Sequence, residues 1–205
     1  MDKLELTTGR LSRDVREKGE TLIQVSLQYP QIGGAGFLEL NDCLARGAEN
    51  LVDALCLGIL GEARAAVGLL PEALPYQISG EFTVTYNSGG VLSFFTDVFL
   101  YAGGMRGITY RYGSSYWTAE GGRPIFIGAL FPAQTDVREV VRRVAAERLG
   151  VDEGVVRGAF SAENCYLADG GVAVFFQPGA VGPVASGVMV VTMSGGVGGL
   201  VLPER

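Results

Sequence analysis

Tyr101-Ala102-Gly103-Gly104-Met105-Arg106-Gly107 separates two β-type runs, Val91 to Tyr101 before it and Ile108 to Trp117 after it. Both runs are rich in β-branched and aromatic residues, which suit a pleated, half-buried surface. The glycines of the stretch supply the positive φ that a tight reversal needs, so it reads as the turn of a β-hairpin. One step upstream, Ser79 to Asn87 forms another strand, and Asn87-Ser88-Gly89-Gly90 carries the turn signals that follow it. Successive strands joined by short turns make Tyr76 to Trp117 an antiparallel meander.

Working outward toward the N-terminus, Phe37 to Val67 reads as a long helix. Its apolar positions Leu40, Leu44, Leu51, Leu55 and Ile59 recur at helical spacing, with Asn41, Asp42, Arg46, Glu49 and Asn50 on the wet face. Gly58 and Gly61 are candidate breaks, and Pro71 and Pro75 end the segment. Thr21 to Tyr29 alternates Ile23, Val25 and Leu27 with Gln24, Ser26 and Gln28, the pattern of a half-buried strand. Met1 to Lys18 is polar and mixed in charge, an arm or a first strand with a loose start.

Toward the C-terminus, Ile125 to Leu130 is a short apolar strand or extended run. Thr135 is the expected N-cap of a helix reaching Leu149, with Gly150 as its stop. Asn164 to Leu167 and Gly171 to Gln177 form a hairpin, and Val188 to Met193 is the last strand. The expected class is α+β, with antiparallel sheets, two main helices and two similar successive halves packed together. The expected boundaries are a polar arm over 1–20, a first half over 21–118, a second half over 119–193 and a flexible Gly-rich tail over 194–205.

Composition removes several chemistries. The chain of 205 residues has no histidine, which excludes Ser-His-Asp and Cys-His catalysis and His-ligated zinc. Its only lysines, Lys3 and Lys18, both lie in the polar arm, which argues against a Ser-Lys dyad. A net charge of −6 repels phosphates, so no nucleic-acid partner is expected. No apolar run approaches the ~20 residues of a membrane helix, and the start has no signal-peptide core. Cys43, Cys56 and Cys165 show no metal-ligand spacing. The first two share the predicted helix, about 20 Å apart at ~1.5 Å per residue, too far to bridge. Buried free thiols lean toward a reducing compartment. No cofactor and no metal are expected. Gly195-Gly196-Val197-Gly198-Gly199 lacks the helix that a phosphate cradle requires.

Two acidic pairs could serve a glycan hydrolase: Glu81 with Asp97 on neighbouring strands, and Asp152 with Glu153. Ordinary exposed residues are the plain alternative in a chain with 22 acidic side chains. The hairpin concentrates aromatic residues. Tyr110, Tyr112 and Tyr116 share strand parity and hence a face, with Tyr101, Trp117, Arg106 and Arg111 nearby. Such a face suits a glycan ring or a protein partner, whereas packing of the rings beneath the helices is the structural alternative.

Several motifs, in order, resemble a bacterial tandem. Tyr29-Pro30-Gln31-Ile32, Phe82 to Asn87, Val91-Leu92-Ser93-Phe94 and the turn Tyr101 to Gly107 are similar to the domain of unknown function numbered 4163. Tyr112 with Trp117, the Gly122 turn, Ile127 to Phe131, Phe160 to Leu167, Phe175-Phe176-Gln177-Pro178 and Gly182 to Gly187 resemble its usual partner, numbered 3298. The resemblance covers about Thr21 to Met193. It implies a binding or sensing module, as in anti-sigma factor ectodomains that bind lysozyme and in the non-catalytic N-terminal region of peptidoglycan deacetylases. Met105 and Arg106 replace the family's Ala-His after the paired glycines. Gly179 and Val184 stand where its late motif carries tyrosines.

The resulting expectation is a non-catalytic module for a lysozyme-like protein or a cell-wall glycan, contacting it through Tyr101, Arg106, Tyr110, Arg111, Tyr112, Tyr116 and Trp117. The alternatives are a cytoplasmic accessory or structural protein and a carboxylate-dependent hydrolase. A monomer or homodimer is expected. The residues themselves point to the cytoplasm, whereas the resemblance points to the cell envelope.

Overall fold

A computed structural model describes residues 3–119 and 121–202. The first segment, read as a polar arm over 1–20 or as a first strand with a loose start, is a strand, β1 (Leu6–Glu17). It pairs antiparallel with β2 (Glu20–Ile32) through nearly its whole length. Polarity left the two readings open: β1 is an edge strand, and charged side chains are what an exposed edge carries.

After β2 the chain enters one turn of 3-10 helix, Ala35–Phe37, and then the 32-residue helix α1 (Leu38–Leu69). Neither Gly58 nor Gly61 breaks it. The buried stripe follows Leu40, Leu44, Ala48, Val52, Cys56, Ile59, Ala63 and Ala66, whereas Leu51 and Leu55 are only half-buried. Four-residue steps drift around a helix, and this inclined row packs along β2. The strand β3 (Tyr76–Ser88) then pairs parallel with β2, with Ser26 opposite Ser79. A parallel pair needs a crossover, and α1 is that crossover. The sheet is therefore not antiparallel throughout. The strands β4 (Val91–Tyr101) and β5 (Ile108–Trp117) follow in order, and a two-residue strand β6 (Arg123–Pro124) closes the six-stranded sheet.

The run Ile127–Leu130 is 3-10 helix, not strand. The helix α2 (Val137–Leu149) is capped by Asp136, whose carboxylate accepts from the Glu139 amide at 3.1 Å, one residue after the expected Thr135. Gly150 ends it in the left-handed conformation. A third helix, α3 (Glu153–Ala159), was not expected. Asp152 caps it, and Glu153 forms an ion pair with Arg142 of α2, so this acidic pair has helix-end roles. The strands β7 (Cys165–Ala168), β8 (Gly171–Phe176) and β9 (Met189–Ser194) make a separate antiparallel sheet. Every residue of β8 is buried, as expected for an uninterrupted apolar run at a sheet centre.

The segment after β9 is not a loose tail up to Leu202. Leu200 is buried, and the Val201 amide donates to the Leu130 carbonyl at 2.9 Å. The rest of the expected tail, 203–205, lies outside the described residues. By compactness the chain forms two units. One comprises Glu5–Phe82 and Thr96–Tyr110, with α1 against β2. The other comprises Met1–Leu4, Thr83–Phe95 and Arg111–Arg205, and its core gathers Val91, Ile127, Val141, Val156, Val174 and Phe176. This partition runs through β3, β4 and β5, rather than at residue 118.

Candidate functional site

The hairpin between β4 and β5 projects Gly104, Met105 and Arg106 into solvent. Of the turn glycines, Gly103 alone has positive φ, at 77°. Gly107 is needed for another reason: a side chain there would overlap the Phe99 ring. Tyr101 meets Tyr76 edge-to-face with centroids 6.5 Å apart, which braces the base of the hairpin. Met105 is 102% exposed, an unusual position for a large apolar side chain. Arg106 is also exposed, and Tyr110, in the same unit, is half-buried.

The remaining expected contact residues lie in the other unit. Arg111 is held in the fold. Its amide donates to Gln177 Oε1 at 3.0 Å, and its carbonyl accepts from Gln177 Nε2 at 2.6 Å. Its guanidinium lies 3.6 Å from the centroid of Phe95 and donates to the Tyr166 hydroxyl at 3.3 Å. Tyr112 is half-buried and engaged with a neighbour. Tyr116 stacks on Phe94 at 6.4 Å, and Trp117 packs against the apolar core.

Tyr116 also lines a cavity of about 280 Å³ with Ser114, Pro124, Phe126, Glu163 and Cys165. Cys165 is half-buried, and desolvation pushes its thiol from 9.0 up to about 11, so it is not a thiolate nucleophile near neutrality. Cys56 is likewise pushed up, chiefly by burial, with Arg13 opposing the shift.

Glu81 and Asp97, the other acidic pair, line one open hollow of about 330 Å³ in the first unit, together with Ser26, Gln28, Ser79, Phe99 and Thr109. The Gln28 amide donates to Glu81 Oε1 at 3.4 Å. Alternation along β2 marked Gln24, Ser26 and Gln28 as its polar face. The hollow itself depends on the parallel β2–β3 pairing, which single-strand patterns do not reveal. Among the described residues, no group of three or more Cys, Asp or Glu is placed to hold a metal. Also among them, no helix is long and apolar enough to cross a membrane.

No family model and no curated protein matches the chain. Solved structures do. A DUF3298 family member from Bacteroides fragilis NCTC 9343 is similar with a TM-score of 0.64 and 14% identity, over 93% of this chain and 90% of that one. A DUF3298 family protein from Pseudomonas aeruginosa PAO1 is similar with a TM-score of 0.58 and 14% identity, over 93% of this chain and 91% of that one. The likeness thus spans almost the whole chain, not only the part after residue 118. At this identity it is a likeness of fold, and the fold of this chain is the one seen in those DUF3298 family structures.

Proposed function

We propose that the chain is a non-catalytic binding or sensing module, and that its ligand is a lysozyme-like protein or a cell-wall glycan. The observation that carries this reading is the hairpin tip. Met105 stands fully in solvent, with Arg106 exposed beside it, on a turn braced by the Tyr76–Tyr101 contact. An exposed methionine adapts to an apolar partner surface, and an adjacent arginine supplies directional hydrogen bonds. The resemblance to the tandem of domains 4163 and 3298 supplies the ligand classes and the cell-envelope setting.

Titration of the chain with lysozyme and with soluble peptidoglycan fragments tests the reading. Saturable binding to one of them is expected. Replacing Met105 and Arg106 together by alanine should weaken it about tenfold or more, the scale of a central contact. Absence of binding to both, or a double variant that binds like the parent chain, overturns it.

A further inference from the structure

We propose that the hollow beside Glu81 and Asp97 is a subsite for a neutral sugar ring. It is a second contact surface, separate from the exposed tip at Met105 and Arg106.

The hollow follows from side-chain length on a pleated face. The buried residues Ile23, Val25, Leu27 and Ile78 point to the side where α1 packs along β2, so Ser26, Gln28, Ser79 and Glu81 project from the opposite face. Ser26 lies directly opposite Ser79 in the β2–β3 register. Two short hydroxyl side chains side by side make a low floor. The longer Gln28 and Glu81, joined by their hydrogen bond, rise beside it, and Asp97 and Phe99 from β4 complete the lining. The resulting volume, about 330 Å³, lies at the lower end of the range for small-ligand sites and suits a single ring.

The lining chemistry selects among ligands. Its side chains include two carboxylates and no basic group, which disfavours anions. Carboxylate oxygens accept more than one hydrogen bond each, so a carboxylate already engaged keeps acceptor capacity. The serine hydroxyls and the Gln28 amide both donate and accept. A polyol matches this set, because each of its hydroxyls does the same. Phe99, 37% exposed, adds an apolar surface against which the C–H face of a sugar ring can lie.

The test is an amide-resonance titration of the full chain with chitotriose and with cellotriose, and with spermidine as a cationic probe. Shifts should gather at residues 26–28, 79–81 and 97–99 with at least one sugar and saturate with a Kd of about 1 mM, a level reasonable for one open subsite. Ser79→Ile, which fills the floor, should remove these shifts, and Glu81→Gln should weaken them about threefold to tenfold. Both positions are exposed, so both variants should fold. Phe99→Ala is less clean because the ring lies over Gly107. The double alanine variant at Met105 and Arg106 should leave the shifts intact, so failure of the hairpin reading and failure of this one are separable. The proposal is overturned if neither sugar shifts these residues, if spermidine shifts them and the sugars do not, or if Ser79→Ile binds like the parent chain.

Discussion

Asn41, Asn87 and Gln177 each use one side-chain amide to satisfy both backbone groups of a distant residue. Asn41 pairs with Ile32 at 2.8 and 2.9 Å, Asn87 with Leu4 at 3.0 Å in both directions, and Gln177 with Arg111. Hydroxyls do the same for Leu167: its amide donates to Ser93 Oγ at 2.9 Å and Ser115 Oγ at 3.2 Å, and its carbonyl accepts from Thr85 Oγ1 at 2.5 Å. Ser93 is completely buried and also bonds Ser115 at 2.8 Å. Ser93→Ala should therefore cost about 1–3 kcal/mol in urea unfolding, since it leaves buried polar groups short of partners. Cys165 makes a pH prediction. Its folded pKa of about 11 lies above the ordinary 9.0, so the folded state holds the proton more tightly. That contribution is fully present below pH 9 and is lost as pH rises through about 11, amounting to about 2–3 kcal/mol. Stability of the parent chain minus that of Cys165→Ala, measured across this window, should fall with pH. A flat difference would refute the assignment. None of these bonds was legible in the sequence: Asn41 reaches Ile32 across nine residues of irregular and helical chain, and the other partners lie more than twenty residues apart.

At the scale of elements, α1 shows most clearly which local rules prevailed. Its apolar periodicity predicted a helix, and the helix is there. The glycines suggested a break that does not occur, because glycine within a helix costs only about 1 kcal/mol and the buried stripe continues past each one. Gly58 and Gly61 are exposed, and a methyl group at either would meet no neighbouring atom. Gly58→Ala and Gly61→Ala should each stabilise the chain by about 0.5–1 kcal/mol, read as a higher urea midpoint. Gly113 is the contrasting case: an added methyl would overlap the backbone carbonyl of Cys165, so Gly113→Ala should destabilise. The strands β3, β4 and β5 were legible from their β-branched and aromatic runs and the turn residues between them. The short helix α3 was not, since a seven-residue helix spans too few turns to show a period.

For the molecule as a whole, the missing histidine narrows any catalytic reading to carboxylates, and Glu81 and Asp97 do share a hollow. If the hollow binds sugar without hydrolysing it, prolonged incubation with chitotriose or cellotriose should release no new reducing ends. Release that disappears in Glu81→Gln would replace the binding reading with a hydrolase. Local pattern was enough for the α+β class, the β3–β4–β5 succession, the long helix and the hairpin turn from Tyr101 to Gly107. Each depends on spacing or turn chemistry within a few residues. Tertiary structure alone decided that polar β1 is an edge strand, that β2 and β3 run parallel, that the segment through Leu202 is packed, and that Arg111 is clamped by Gln177 while Arg106 stays in solvent. Those outcomes depend on which strands become neighbours. Neighbours far apart in the chain are chosen by shared burial and mutual hydrogen bonding, for which a local pattern has no signal.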